Sequence, residues 1–196
     1  MKRPSGQLSR RLAALHPEVW DAEQSAFAET LVRGPRGRSV YAEDGSLFVL
    51  FDALLRAPGA GDRLQALGLA VQGLDAGAPT ALPLALREAV ICAVVAHRGC
   101  ATELRTHAPK ARAAGITADE LAAIEEGRGA EVLPQPIAAA LGLTGRLLDQ
   151  DTLTDTEYDA FRTVLGEQAI VAIVILVGYY ELVSALFRTF ALDSED

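Results

Sequence analysis

Residues 88 to 109 read EAVICAVVAHRGCATELRTHAP. Two carboxylates (Glu88, Glu103), two thiols (Cys92, Cys100) and two imidazoles (His97, His107) are threaded through an otherwise apolar stretch. On a helix, offsets of three and seven place Cys100, Glu103 and His107 on one face. Glu103 and His107 are four apart, near enough for the carboxylate to hold the imidazole and raise its pKa. Such a pair moves a proton near neutral pH, although the same spacing also describes a surface pair worth about 0.3 kcal/mol. Pro109 removes an amide donor and clashes with the carbonyl of Arg105, so the spacing predicts a kink just past His107. Glu88 is flanked by Val90, Ile91, Val94 and Val95. An acid there must be neutralised, paired or turned to solvent, and its chain neighbour Arg87 is expected to diverge from it. His97, Cys100 and His107 are soft ligand types, but neither the CxxC nor the HExxH spacing is present, and no metal is expected.

The elements that must carry these residues are all helical. Periodicity predicts a helix in HPEVWDAEQSAFAETLV from His16, and RGPRGRSVYAEDG (residues 33–45), with three glycines, a proline and three arginines, is a loop. A buried helix with Ser46 as its N-cap is expected in SLFVLFDALLRA, and another from Pro58 to near Gly73. LDAGAPTALP connects to a helix from about Pro83 to Gly99, and after a break at Arg98 and Gly99 the next runs from Ala101 to Ala114. Thr117 stands three residues before Glu120 at capping-box spacing. Helices are expected from Pro136, from a cap at Thr154, and through GEQAIVAIVILVGYYELVSALFRTF. No alternating strand pattern intervenes, so the fold class is all-α.

Composition narrows the role. The 196 residues are half apolar with 22% charged, which fits one domain over residues 16–192 behind a mobile basic tail at 1–15. A net charge of −8 without a basic face argues against a nucleic-acid partner. MKRPSGQLSRR is not followed by the apolar run of a secretory signal. Cys92 and Cys100 would stand about 12 Å apart along a helix, too far for a disulfide, so reduced thiols and a cytoplasmic setting are expected. Residues 169–187 approach the length of a membrane span, but Glu181 interrupts them; a core or subunit-interface helix is expected, and no membrane partner. Its apolar surface exceeds what one small domain covers, which predicts a homo-oligomer.

LPLALREAVICAVVAHRGCATELRTHAPKARAAGITADELAAI resembles the carboxymuconolactone decarboxylase family of the alkylhydroperoxidase D-like superfamily. The likeness lies in a helix opening with R-E, a small-residue turn after a histidine, then E-x-x-x-H-x-P, then A-G-[LI]-[ST]-x-x-E-[IL]. RGPRG, LLRAPGAGDRLQALG and LVGYYELVSALFRTF are similar to the longer decarboxylase-like members, extending the resemblance over about residues 20 to 190. It implies a single-domain alkylhydroperoxidase D-like helical bundle of about eight helices. In the hydroperoxidase branch the resemblance implies a Glu, a Cys-x-x-Cys pair and a His; Glu88, Cys100 and His107 match, but Glu103 replaces the second cysteine. A disulfide cycle needs that resolving thiol. In the decarboxylase-like branch Gly99, Glu103, His107 and Pro109 match, whereas Cys100, Thr102 and Leu104 replace a small residue, a tyrosine and a tryptophan.

The function so implied is a lyase-type enzyme without a cofactor, decarboxylating or isomerising a small unsaturated lactone, enol or acid. In it, His107 moves the proton, Glu103 orients it and sets its tautomer, Glu88 is a second acid, and Arg33 or Arg36 holds the substrate carboxylate. The alternatives are a thiol-dependent redox protein using Cys100, and a non-catalytic binder of a hydrophobic small molecule.

Overall fold

The computed structural model describes residues 9–74, 82–149 and 152–193. Ten helices form among them, eight of at least seven residues, and the sole extended pairing is an isolated bridge between Tyr41 and Leu47. The all-α class is as expected. The chain groups into two compact units, Met1–Ala70 with Ala185–Asp196, and Val71–Ser184.

In the first unit α1 (Ala22–Arg33) starts later than the periodicity suggested, because Asp21 and Gln24 close a capping box on each other's backbone and Pro17–Val19 form a separate 3₁₀ turn. α2 (Val49–Leu54) is also shorter than expected. Ser46 does not cap it; its hydroxyl and amide both bond to Asp44 Oδ1, a local turn that competes with helix. The loop expected at residues 33–45 holds a 3₁₀ turn at Gly37–Val40. α3 (Pro58–Val71) begins at Pro58 as anticipated. Gly61 is its point of closest approach: a Cβ there would lie 3.1 Å from Leu54 Cβ and 3.2 Å from Phe27. Of the basic tail, residues 1–8 lie outside the described residues. Beyond them, Arg10 pairs with Asp52, and Leu15 N–H donates to Asp52 Oδ1 at 2.8 Å. Asp52 is fully buried, and these partners together with Arg56 surround its carboxyl group.

The second unit is built on α4 (Leu84–His97) and α5 (Ala101–Ala113), which turn back on each other through Arg98, Gly99 and Cys100. Gly99 has φ +67°, the left-handed conformation that suits glycine after a helix end. Most of the connector 74–83 expected before α4 lies outside the described residues. α6 (Ala118–Glu125) carries the capping box expected from Thr117 and Glu120. α7 (Gly129–Val132) is a single turn, α8 runs Ile137–Leu148, and α9 (Asp155–Leu165) is capped by Thr154 as expected, with Glu157 completing a capping box. Ala89, Cys92, Ala111, Ile116, Leu121, Ile124, Leu133 and Leu141 pack into one core. Gly129 lets α7 close on it: a Cβ there would stand 2.7 Å from Leu141 Cδ1 and 2.9 Å from Ile124 Cγ1.

α10 (Glu167–Phe190) is the last and most apolar helix. By length and composition it could cross a membrane, and half of its most apolar 18 residues are buried within the protein. Val171, Val174, Ile175 and Leu182 are exposed at helical spacing on one face.

Candidate functional site

The α4–α5 elbow brings three of the expected residues together inside the second unit. Glu88 and His107 are each 2% exposed and Glu103 is 8% exposed, in the middle of an apolar core. His107 Nδ1 lies 2.7 Å from Glu88 Oε2. On the other edge of the ring, Nε2 lies 3.0 Å from the hydroxyl of Tyr180 and 3.7 Å from Glu103 Oε2. Tyr180 is 1% exposed, with its ring edge-on to His107 at 5.3 Å and to Tyr179 at 5.1 Å.

The protonation states follow from these contacts. Burial pushes the Glu88 carboxyl up, but the hydrogen bond and electrostatic pull of His107, with the charges of Lys110 and Arg87, outweigh it, leaving Glu88 below the usual carboxylate range. Burial also pulls His107 below the usual imidazole range; Lys110 and Arg87 add to that, and Glu88 opposes it only in part. At neutral pH the pair is therefore carboxylate and neutral imidazole. Nδ1–H donates to Glu88, which leaves the lone pair on Nε2 to accept from the Tyr180 hydroxyl. A carboxylate, an imidazole and a phenol are thus aligned in one hydrogen-bonded chain, the arrangement by which a buried acid fixes the tautomer of a working histidine.

Three expectations change. The partner that orients His107 is Glu88, nineteen residues away, and not the helix neighbour Glu103, which lies beyond hydrogen-bond distance. The net effect on His107 is a lowered, not raised, pKa, because desolvation exceeds the pull of Glu88. Arg87 does reach its chain neighbour: its Nε lies 3.4 Å from Glu88 Oε1.

Cys100 stands at the start of α5, the helix that carries Glu103 and His107. It is the N-cap residue of α5, fully buried, and its N–H closes the elbow on Val95 O at 2.8 Å. Burial, with the charges of Glu88 and Glu125, pushes the Cys92 thiol up to about 12, so it stays protonated and a poor nucleophile. Arg33 and Arg36 belong to the first unit, where exposed Arg33 pairs with Glu29 at 2.7 Å and Arg36 lies over the ring of Phe51 at 5.6 Å. α5 continues through Pro109 to Ala113. Among the described residues no three His, Cys, Asp or Glu side chains converge as metal ligands.

Tyr180 was not singled out from the sequence. Its signal is faint: a phenol in an apolar helix needs a partner for its hydroxyl, but nothing in the local pattern names a histidine 73 residues earlier. Its neighbour Glu181 receives both Nε and Nη2 of Arg98 at 2.6 and 2.8 Å, a two-pronged clamp on the elbow.

Comparison with curated proteins and with solved structures gives no match. A family model does match, over a narrower span than the resemblance at about 20–190. The span includes Glu88, Glu103 and His107, which the elbow brings together, and stops short of Tyr180. The chain carries, at residues 63–143, a domain of the carboxymuconolactone decarboxylase family.

Proposed function

We propose that the Glu88, His107, Tyr180 and Glu103 cluster is a cofactor-independent acid/base centre acting on a small unsaturated lactone, enol or acid. The observation that carries this is the chain from Glu88 Oε2 through both nitrogens of His107 to the Tyr180 hydroxyl. Neutral His107 is the resting base. Its Nε2 takes a proton from the carbon next to a carbonyl, and Glu88 at Nδ1 stabilises the imidazolium that forms. The Tyr180 hydroxyl, released from Nε2, donates to the enolate oxygen. The imidazolium then returns the same proton to a different carbon, so the reaction is an isomerisation with no net gain or loss of atoms. A base that is neutral at rest favours this order over decarboxylation, which needs a proton donor ready when carbon dioxide leaves. Glu103 is the most exposed member of the cluster.

The test is turnover of a panel of unsaturated lactones and acids by wild type, His107→Gln and Tyr180→Phe. His107→Gln is expected to lose at least 100-fold and Tyr180→Phe about 10- to 1000-fold in kcat. Turnover at wild-type rates in both variants removes the cluster from the mechanism.

The proposal includes self-association through the exposed stripe Val171, Val174, Ile175 and Leu182. Light scattering that returns a monomer counts against that part alone.

A further inference from the structure

A cavity of about 100 Å³ lies within the first unit, between the end of α1 and α3. Thr30, Arg36, Asp62, Gln65, Ala66 and Leu69 are among its lining residues. Gln65 is 4% exposed, and neither its Oε1 nor its Nε2 finds a hydrogen-bond partner among the described residues. A buried carboxamide left unsatisfied at both ends is costly, and native interiors rarely contain one without a ligand or water to serve it.

The rest of the wall is matched to it. Arg36 is held over the ring of Phe51, a stacking contact that fixes the guanidinium without using its N–H groups, and no acidic side chain pairs with it among the described residues. Asp62 likewise has no cationic partner there. One cavity thus presents a cation, an anion, and a buried amide able both to donate and to accept. An anion alone would meet Asp62, and a cation alone would meet Arg36. A molecule that carries an ammonium and a carboxylate on one carbon satisfies all three groups.

We infer that this cavity is a binding site for a small amino-acid zwitterion of about glycine or alanine size. The carboxylate accepts from Arg36 and from Gln65 Nε2, while the ammonium donates to Asp62 and to Gln65 Oε1. A volume of about 100 Å³ suits a ligand of this size better than one with a large side chain. The ligand-efficiency ceiling for so few atoms sets the affinity in the micromolar to millimolar range. The site is independent of the acid/base centre.

The experiment is calorimetric titration of the full chain with glycine, alanine, phenylalanine, acetate and methylammonium, repeated with Gln65→Met and with Arg36→Gln. Glycine and alanine are expected to bind at one site per chain. Acetate and methylammonium should each bind at least tenfold more weakly, and phenylalanine should not bind. Gln65→Met keeps the shape of the side chain and removes its polar ends, and it should weaken glycine binding about 10- to 100-fold; circular dichroism checks its fold. Arg36→Gln, at the rim, tests the same site should Gln65→Met fail to fold, with a similar loss expected. No saturable binding of glycine to wild type overturns the inference, leaving solvent to serve Gln65. Undiminished binding to either folded variant, or acetate binding as tightly as glycine, overturns it equally.

Discussion

Glu88→Gln is the most informative single change, because it keeps the shape of the side chain and an acceptor for His107 Nδ1–H while removing the charge. A hydrogen bond to a charged group contributes about 1.5–3 kcal/mol and one to a neutral group about 0.5–1.5 kcal/mol, a difference of roughly 1 kcal/mol. The amide also brings an NH₂ to the place of Oε1, which now faces Arg87 Nε at 3.4 Å, so donor would meet donor. The expected destabilisation is therefore about 1–2 kcal/mol. Glu88→Ala, which strands the imidazole N–H and opens a cavity, should cost about 3–5 kcal/mol. Urea unfolding at pH 7.5 measures both. The same variant tests the proton positions. The carboxylate is what opposes burial at His107; without it the imidazole pKa must fall further, which a proton NMR titration reads directly. Nitrogen-15 correlation spectra of wild type should show Nδ1–H and a bare Nε2. A wild-type Nε2–H tautomer, a His107 pKa that rises in Glu88→Gln, or a Glu88→Gln variant as stable as wild type would each refute the assignment of Glu88 as the orienting group.

Stability should fall on acidification in two stages. With its pKa lowered, His107 binds its proton less tightly folded than unfolded, so its contribution is complete above the unfolded value near 6.5 and declines below it. Glu88, also lowered, keeps its contribution above its unfolded value near 4.5 and loses it as pH falls further. Denaturation midpoints from pH 8 to 5 should drop for wild type and stay flatter for His107→Gln. In the first unit, Asp52→Asn should cost about 3–5 kcal/mol by leaving Arg10 without its buried partner, and limited proteolysis should then cut first within residues 9–15; unchanged cleavage would show that the segment is held by other contacts. Gly129→Ala should destabilise by about 1–3 kcal/mol through overpacking against Leu141 and Ile124, read as a lower melting temperature with no change in His107 titration.

Features encoded within a few residues were legible in the sequence. The boxes Thr117/Glu120 and Thr154/Glu157 form as spaced, because each is a local exchange of side-chain and backbone bonds. Ser46 shows the limit of the same logic: its bond to Asp44 is just as local, and the sequence does not say which local bond wins. The site itself was half legible. Glu103 and His107 are adjacent as their spacing required, yet the bond that sets the imidazole crosses from α4 to α5, and the one on its far side comes from α10. Helix periodicity gives faces, not which faces meet, so Tyr180 and the role of Glu88 were hidden while the residue types were in plain view.

The elbow at Arg98–Cys100 has a mechanical consequence. Glu88 sits ten residues before Arg98, a lever of about 15 Å at helical rise. A rotation of the joint by about 5° would swing Glu88 by roughly 1.3 Å on that lever, enough to part it from His107, with which it now makes a 2.7 Å contact. The clamp from Arg98 to Glu181 stiffens that joint, and Glu181 is the residue next to Tyr180. One turn of α10 thus both carries the phenol of the proton chain and sets the angle of the hinge on which the Glu88 end depends. Movement of α10 would therefore detune the chain at both ends at once.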